Sequence, residues 1–230
     1  MLIIIDYRIP EDAKKTLASF GELLELNTEG ITYRAISGHP DIFFCKSPDK
    51  LIVAPNLPEH YVEKLTKRSI LYIKGELPVG SDYPASSRYN AVATEKYLIH
   101  NFRHTDFTIT RAFEDLTPVH VDQGYCRCNL LSLRDGHFIT SDEGIYKILK
   151  WHQLDSLFVA PEEILLEGIA HGFFGGCCGV WEDKVFIIGK LVHFPEGEKV
   201  RHYLEKLEYE VVELSDGQLV DGGGILFVGS

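Results

Sequence analysis

A short apolar phrase recurs along this chain at nearly equal steps. Lys50-Leu51-Ile52-Val53, Lys96-Tyr97-Leu98-Ile99, His137-Phe138-Ile139-Thr140 and Lys184-Val185-Phe186-Ile187 each put a turn-tolerant residue before three mostly apolar ones, and their starts lie 46, 41 and 47 residues apart. The chain opens on a similar run, Met1-Leu2-Ile3-Ile4, 49 residues before Lys50; joining the end of the 230-residue chain to its start would make the remaining step 47. A fixed period of this size is the mark of a repeat architecture.

The last copy gives the plan of the unit. Lys184-Val185-Phe186-Ile187-Ile188 reads as a β-branched and aromatic strand, Pro195-Glu196-Gly197 opens a helix, and Tyr209-Glu210-Val211-Val212-Glu213-Leu214 alternates as a half-buried strand does. In the helix, Val200, Tyr203, Leu204 and Leu207 fall on one face while Glu198, Arg201 and Glu205 face water. Such a unit cannot bury its own apolar faces.

Four other segments follow the same plan. Pro10 and Pro58 start helices in the first two units, Thr105 or Asp106 caps a third, and Ser141 caps a fourth that carries Ile145, Ile148 and Leu149. Ile42-Phe43-Phe44 and Asn129-Leu130-Leu131 read as strands, with Cys126 and Cys128 two apart on a strand and so on one face. The expected fold is α/β, one domain over residues 1–230, with five strand-helix-strand units closing into a propeller-like ring rather than forming an open solenoid. In that ring the last ten residues, which begin Asp221-Gly222-Gly223-Gly224, supply a strand that pairs with residues 1–6.

Composition narrows the function classes. A net charge of −11 argues against sequence-independent nucleic-acid binding, which rests on Lys and Arg neutralising phosphates. No stretch approaches the run of apolar residues that spans a membrane, and the apolar opening meets Asp6 and Arg8 too early for a signal peptide. Five cysteines, Cys45, Cys126, Cys128, Cys177 and Cys178, show no disulfide-framework spacing, so a reducing cytoplasm is expected.

Each repeated strand is preceded by a turn of small or polar residues: His39-Pro40-Asp41, Ser87-Arg88-Tyr89-Asn90, His120-Val121-Asp122-Gln123-Gly124, Gly175-Gly176-Cys177-Cys178 and Asp221-Gly222-Gly223-Gly224. Equivalent positions of a ring converge on one axis, so these turns are expected to form a polar pocket at one end. The breaker-rich stretch through Pro78, Gly80, Asp82 and Pro84 is the candidate for a lid. Cys126 and Cys128 with His120 and His171 suggest a metal only faintly, because structural zinc sites favour wider cysteine spacing; core thiols are the expectation, with no metal and no cofactor.

The five-unit count, Asp41 in His-Pro-Asp before an apolar strand, His120-Val121-Asp122 opening the fourth unit and Asp-Gly-Gly-Gly near the C-terminus together resemble the pentein family of guanidino-group-modifying enzymes. The resemblance implies a nucleophilic Cys near the C-terminus, a His acting as general acid and base, and carboxylates that hold a cation by paired hydrogen bonds. It makes Asp41 and Asp122 substrate-binding and His120 catalytic; Asn90 and Asp221, on equivalent turns, join them as substrate-binding candidates. Two positions depart from the pattern: Leu226 or Phe227 stands where the nucleophile belongs, and Ser87 stands where a catalytic Glu belongs.

Cys177 and Cys178, flanked by glycines, are then the candidates for a relocated nucleophile, or else small buried residues in a tight turn. Two functions follow. One is a hydrolase or amidinotransferase-like enzyme acting on a small cationic guanidino or amidino ligand. The other is a non-catalytic ring of the same fold that binds a small molecule or a protein, as the ribosome anti-association factor that resembles this fold does.

Overall fold

The computed structural model describes residues 1–229; Ser230 lies outside them. Unit one holds β1 (Leu2–Asp6), α1 (Glu11–Leu17) and β2 (Glu22–Leu26). Unit two holds the helical turn α2 (Pro40–Phe43), then β3 (Phe44–Lys46), β4 (Leu51–Val53), α3 (Glu59–Lys67) and β5 (Ile73–Lys74). Unit three holds β6 (Val92–Ala93), β7 (Tyr97–His100), α4 (Phe107–Ala112) and β8 (Thr117–His120). Unit four holds the helical turn α5 (Cys126–Asn129), β9 (Leu130–Ser132), β10 (Phe138–Thr140), α6 (Glu143–Trp151) and β11 (Ser156–Phe158). Unit five holds β12 (Cys178–Trp181), β13 (Lys184–Ile187), α7 (Gly197–Lys206) and β14 (Glu210–Glu213), and β15 (Leu226–Val228) ends the chain.

Every unit builds one three-stranded sheet by one rule. A first strand pairs antiparallel with the middle strand, and the middle strand pairs parallel, across its helix, with the third. The middle strands β1, β4, β7, β10 and β13 coincide with the repeated apolar phrase. Unit one takes its first strand from the far end of the chain: β15 pairs antiparallel with β1, Leu2 opposite Val228 and Ile4 opposite Leu226. The pairing expected between the two ends is therefore present.

Alternation along β1 serves two cores at once. Ile4 packs with Leu24, Leu26, Phe43 and Phe44, whereas Ile3 and Ile5 point the other way into a cluster with Leu17, Phe186 and Ile188. Helices bury the stripe that the sequence assigns them: Ile145 and Leu149 on α6, Val200 and Leu204 on α7. Each such side chain taken from water is worth about 1.5–3 kcal/mol.

Local detail departs from the sequence reading in four places. Residues 40–43 form a helical turn with Pro40 at its start, where proline's fixed φ and missing N–H cost nothing, so the strand begins only at Phe44. Cys126 and Cys128 lie on α5, not on a strand, and so do not share a strand face. The cap of α6 is Asp142, whose carboxylate accepts from the Ile145 amide at 2.7 Å, while Ser141 turns inward to Asn129. The return strand of unit two is only β5, because Ile70 and Tyr72 pack against the core before it begins.

Ile4 is fully buried between its two strand partners. Ile4→Ala is expected to lower stability by about 2–5 kcal/mol, through lost burial and the cavity left behind, read as a shifted urea midpoint at unchanged slope.

Candidate functional site

The turns that precede the first strands meet in one buried polar cluster. Asp41, in the first turn of α2, receives the Cys128 Sγ–H of α5 on Oδ2 at 2.9 Å. Asn90 of unit three joins the two: its Nδ2 donates to Cys128 Sγ at 3.3 Å and to the Asp41 carbonyl at 3.1 Å, and its Oδ1 accepts the Cys128 amide at 3.2 Å. Units two, three and four are thus pinned by four hydrogen bonds among three residues.

Units five and one enter through Asp221. Its carboxylate accepts the Phe173 amide at 2.9 Å and the Gly223 amide at 3.0 Å. His39 lies between two carboxylates, its Nδ1 3.9 Å from Asp221 and its Nε2 3.9 Å from Asp6. Glycine makes the approach feasible: a Cβ on Gly223, whose φ is +69°, would stand 2.2 Å from that of His39, and one on Gly176 would stand 1.9 Å from Asp221 Oδ1. Asp6 is held by Arg8 through Nε at 3.0 Å and Nη2 at 2.6 Å.

Burial dominates the electrostatics. It pushes the carboxyls of Asp41 and Asp221 up to about 6, against hydrogen bonds and nearby cationic groups that favour the charged forms. It lowers the proton affinity of His39 and, with Asp41 alongside, raises the Cys128 thiol well above its ordinary value. Two buried atoms of the cluster, His39 Nδ1 and Asp41 Oδ1, have no hydrogen-bond partner among the described residues.

Two cavities flank this centre. One, of about 350 Å³, is lined by Asp6, Arg8, His39 and Asp221 together with Leu165, Leu166 and Glu167. The other, of about 590 Å³, is lined by the first strand of every unit, including Phe44, Ala93, Leu131, Val180 and Phe227. Leu226 and Phe227, which stand where the resemblance puts a nucleophile, both open onto it; Lys46 and Arg127 are among its charges, and its lining holds neither Cys nor His.

Of the residues singled out from sequence, Asp41, Asn90 and Asp221 come together here. His120 and Asp122 do not join them: His120 ends β8, stacks on Phe102 and faces the exposed Asp122 at 3.7 Å. Cys177 gives its thiol to the Phe173 carbonyl at 3.4 Å, Cys178 heads β12, and burial, with Asp221 nearby, raises both thiols. Ser87 is buried and bonds the Pro84 carbonyl. Sequence reading left His39 and Asp6 out of the site and took Cys128 as a core thiol. His39 was legible as the neighbour of Asp41 in one turn; Cys128 was not, because a helical turn rather than a strand aims its thiol.

A family of unknown function (DUF6873) matches residues 4–226. The chain belongs to this family. A comparison with curated proteins finds no match. Among solved structures, the chain is similar to a dimethylarginine dimethylaminohydrolase from Pseudomonas aeruginosa in complex with citrulline, at 12% identity and a TM-score of 0.56 over 92% of this chain and 83% of that one. An amidinotransferase from Microseira wollei in the saxitoxin biosynthetic pathway matches at 12% and 0.54 over 93% and 88%, and an agmatine deiminase from C. jejuni at 9% and 0.53 over 85% and 70%. At these identities the likeness is one of fold, and the fold is that of the penteins.

Raised carboxyls have a sign that can be measured. The folded chain holds protons on Asp41 and Asp221 that the unfolded chain has released, so the stability they contribute is full below pH 3.8 and is lost as pH rises through about 6. His39, lowered, works in the opposite sense and is common to wild type and a carboxyl variant. Relative to wild type in chelator-containing buffer, Asp221→Asn should therefore gain on the order of 2 kcal/mol across that window, by urea denaturation at stepped pH. A pH-independent difference would contradict the assignment.

Proposed function

We propose that this chain is a pentein-fold protein that binds a small cationic guanidino or amidino compound in the 350 Å³ cavity. The observation that carries the reading is the excess of buried carboxylate: Asp6 and Asp221 line the cavity with His39 between them, and of the two Arg8 bonds Asp6. A buried carboxylate without a counter-charge costs several kcal/mol or keeps its proton, and a bound cation relieves both. The cavity falls within the usual size range of small-molecule sites. Support for a closed five-unit ring around this site comes from the β1 and β15 pairing and from the larger cavity that all five first strands line.

Binding without covalent chemistry fits the cysteines best. All five are buried, and burial raises each thiol, that of Cys45 to about 12, so none is poised as a thiolate. Hydrolysis is the second reading, and Cys128 is the thiol that favours it. Its Sγ lies beside Asp41 and Asn90, and an arriving cation would lower its proton affinity.

Thermal unfolding with agmatine, arginine, guanidinoacetate and uncharged controls tests the reading. A cationic compound at a hundred times its Kd should stabilise the chain by about 2.7 kcal/mol. That shift should disappear in Asp221→Asn and persist in Asp122→Asn, whose carboxylate is exposed at the end of unit three. No shift with any guanidino compound would end the proposal. A covalent adduct on Cys128 seen by intact mass would move the assignment from binding to hydrolysis.

A further inference from the structure

We propose that His39, Asp41 and Cys128 form a site for one thiophilic divalent metal ion of the zinc class. Their donor atoms, an imidazole nitrogen, a carboxylate oxygen and a thiol sulfur, lie within 4.8 Å of one another, and all three residues are buried. That spacing encloses room for a single ion bound at roughly 2.0–2.3 Å and is too tight for a guanidinium. The three donors therefore differ from the lining of the neighbouring 350 Å³ cavity, in which His39 alone of them takes part.

The donor set suits the ion. Nitrogen, oxygen and sulfur ligands in a closed site select zinc and its chemical relatives over calcium or magnesium, which take oxygen. Three protein donors leave a fourth position, and Asp221, whose Oδ1 is 3.9 Å from the unpaired His39 Nδ1, is a candidate to fill it.

Cluster hydrogen bonds leave a remainder that an ion explains. Asp41 Oδ2 takes the thiol proton, yet Asp41 Oδ1 and His39 Nδ1 stay without partners in a fully buried setting. Such unpaired atoms are rare in native interiors because each forfeits a hydrogen bond. A cation would engage the unpaired nitrogen and the carboxylate together. Around it, Asn90 Nδ2 already donates to the sulfur and to the Asp41 carbonyl, the supporting contacts that hold metal ligands in orientation.

Binding is a simple exchange. The Cys128 S–H bond breaks, its proton passes to solvent, and the sulfur lone pair forms the metal bond; Asp41 binds as carboxylate, His39 as neutral imidazole, and no electrons are transferred. The thiolate held in this way is then withheld from covalent chemistry.

Cobalt(II) is the direct probe, because a cobalt-thiolate bond absorbs by charge transfer and cobalt reproduces zinc geometry. The full-length chain, stripped by chelator and free of guanidino compounds, is titrated with cobalt(II) and then with zinc. Expected are a charge-transfer band saturating at one equivalent, its removal by zinc, and a raised melting temperature. Cys128→Ser should lose the band, Asp41→Asn should weaken binding by roughly tenfold or more, and Cys177→Ser should leave both unchanged. Absence of the band in the folded wild-type chain, or its persistence in Cys128→Ser, would overturn the proposal. Should Cys128→Ser fail to fold, unchanged cobalt affinity in Asp41→Asn would overturn it equally. Guanidino binding is read separately by thermal shift, so either proposal can fail alone.

Discussion

Pairing of the first and last strands is the contact on which the remaining structure depends. Leu2, Ile3 and Ile4 opposite Val228, Phe227 and Leu226 complete a sheet from both ends of the chain. The turn leading into β15 then carries Gly223 against His39, hands its carbonyl to the Asp41 amide at 3.3 Å, and brings Asp221 beside Gly176. Without that pairing two sides of the buried cluster would have no backbone to stand on. Apolar burial supplies the energy and the polar cluster inherits the geometry.

The cluster is costly by itself. In this dry interior Asp41, Asp221 and the Cys128 thiol are held toward their protonated forms, while Arg8 bonds Asp6 and Arg127 favours the charged form of Asp41. Such an arrangement persists where surrounding packing over-determines it, and here Phe43, Phe44 and the β1 isoleucines are fully or almost fully buried around it. The same costs make it receptive to positive charge, whether an organic cation in the adjoining cavity or an ion among the donors. The larger cavity carries charges of both signs, with Lys46, Lys96, Arg127 and Arg134 against Glu95, Asp135 and Glu182.

Much of the fold was legible in the sequence because it follows from periodicity. Strand phrases at near-equal steps located all five middle strands, and the apolar stripes of α6 and α7 fell on the faces that they bury. Less was legible where conformation depends on a single turn. Ile42 and Phe43, and Cys126 with Cys128, read as strand from their apolar or small side chains, yet residues 40–43 and 126–129 each form one helical turn, and those turns bring Asp41 and Cys128 together. Spacing along a strand could not have paired residues 87 apart. His120 illustrates the converse, since its motif is intact while its side chain lies near the surface with Phe102 and Asp122.

Closure through the terminal strands can be tested without touching any side chain. The two ends of this sequence fall between β15 and β1, where other units have a hairpin such as that from β12 to β13 through Glu182. A circular permutant that joins the two ends by a short Gly-Ser linker and opens the chain between Glu182 and Asp183 moves the break to unit five. If terminal pairing organises the molecule as argued, this permutant will unfold cooperatively in urea with a midpoint and slope close to those of the parent. A permutant that is soluble but non-cooperative, with its near-ultraviolet signal lost, would show that the ends do not close the fold and would contradict the account.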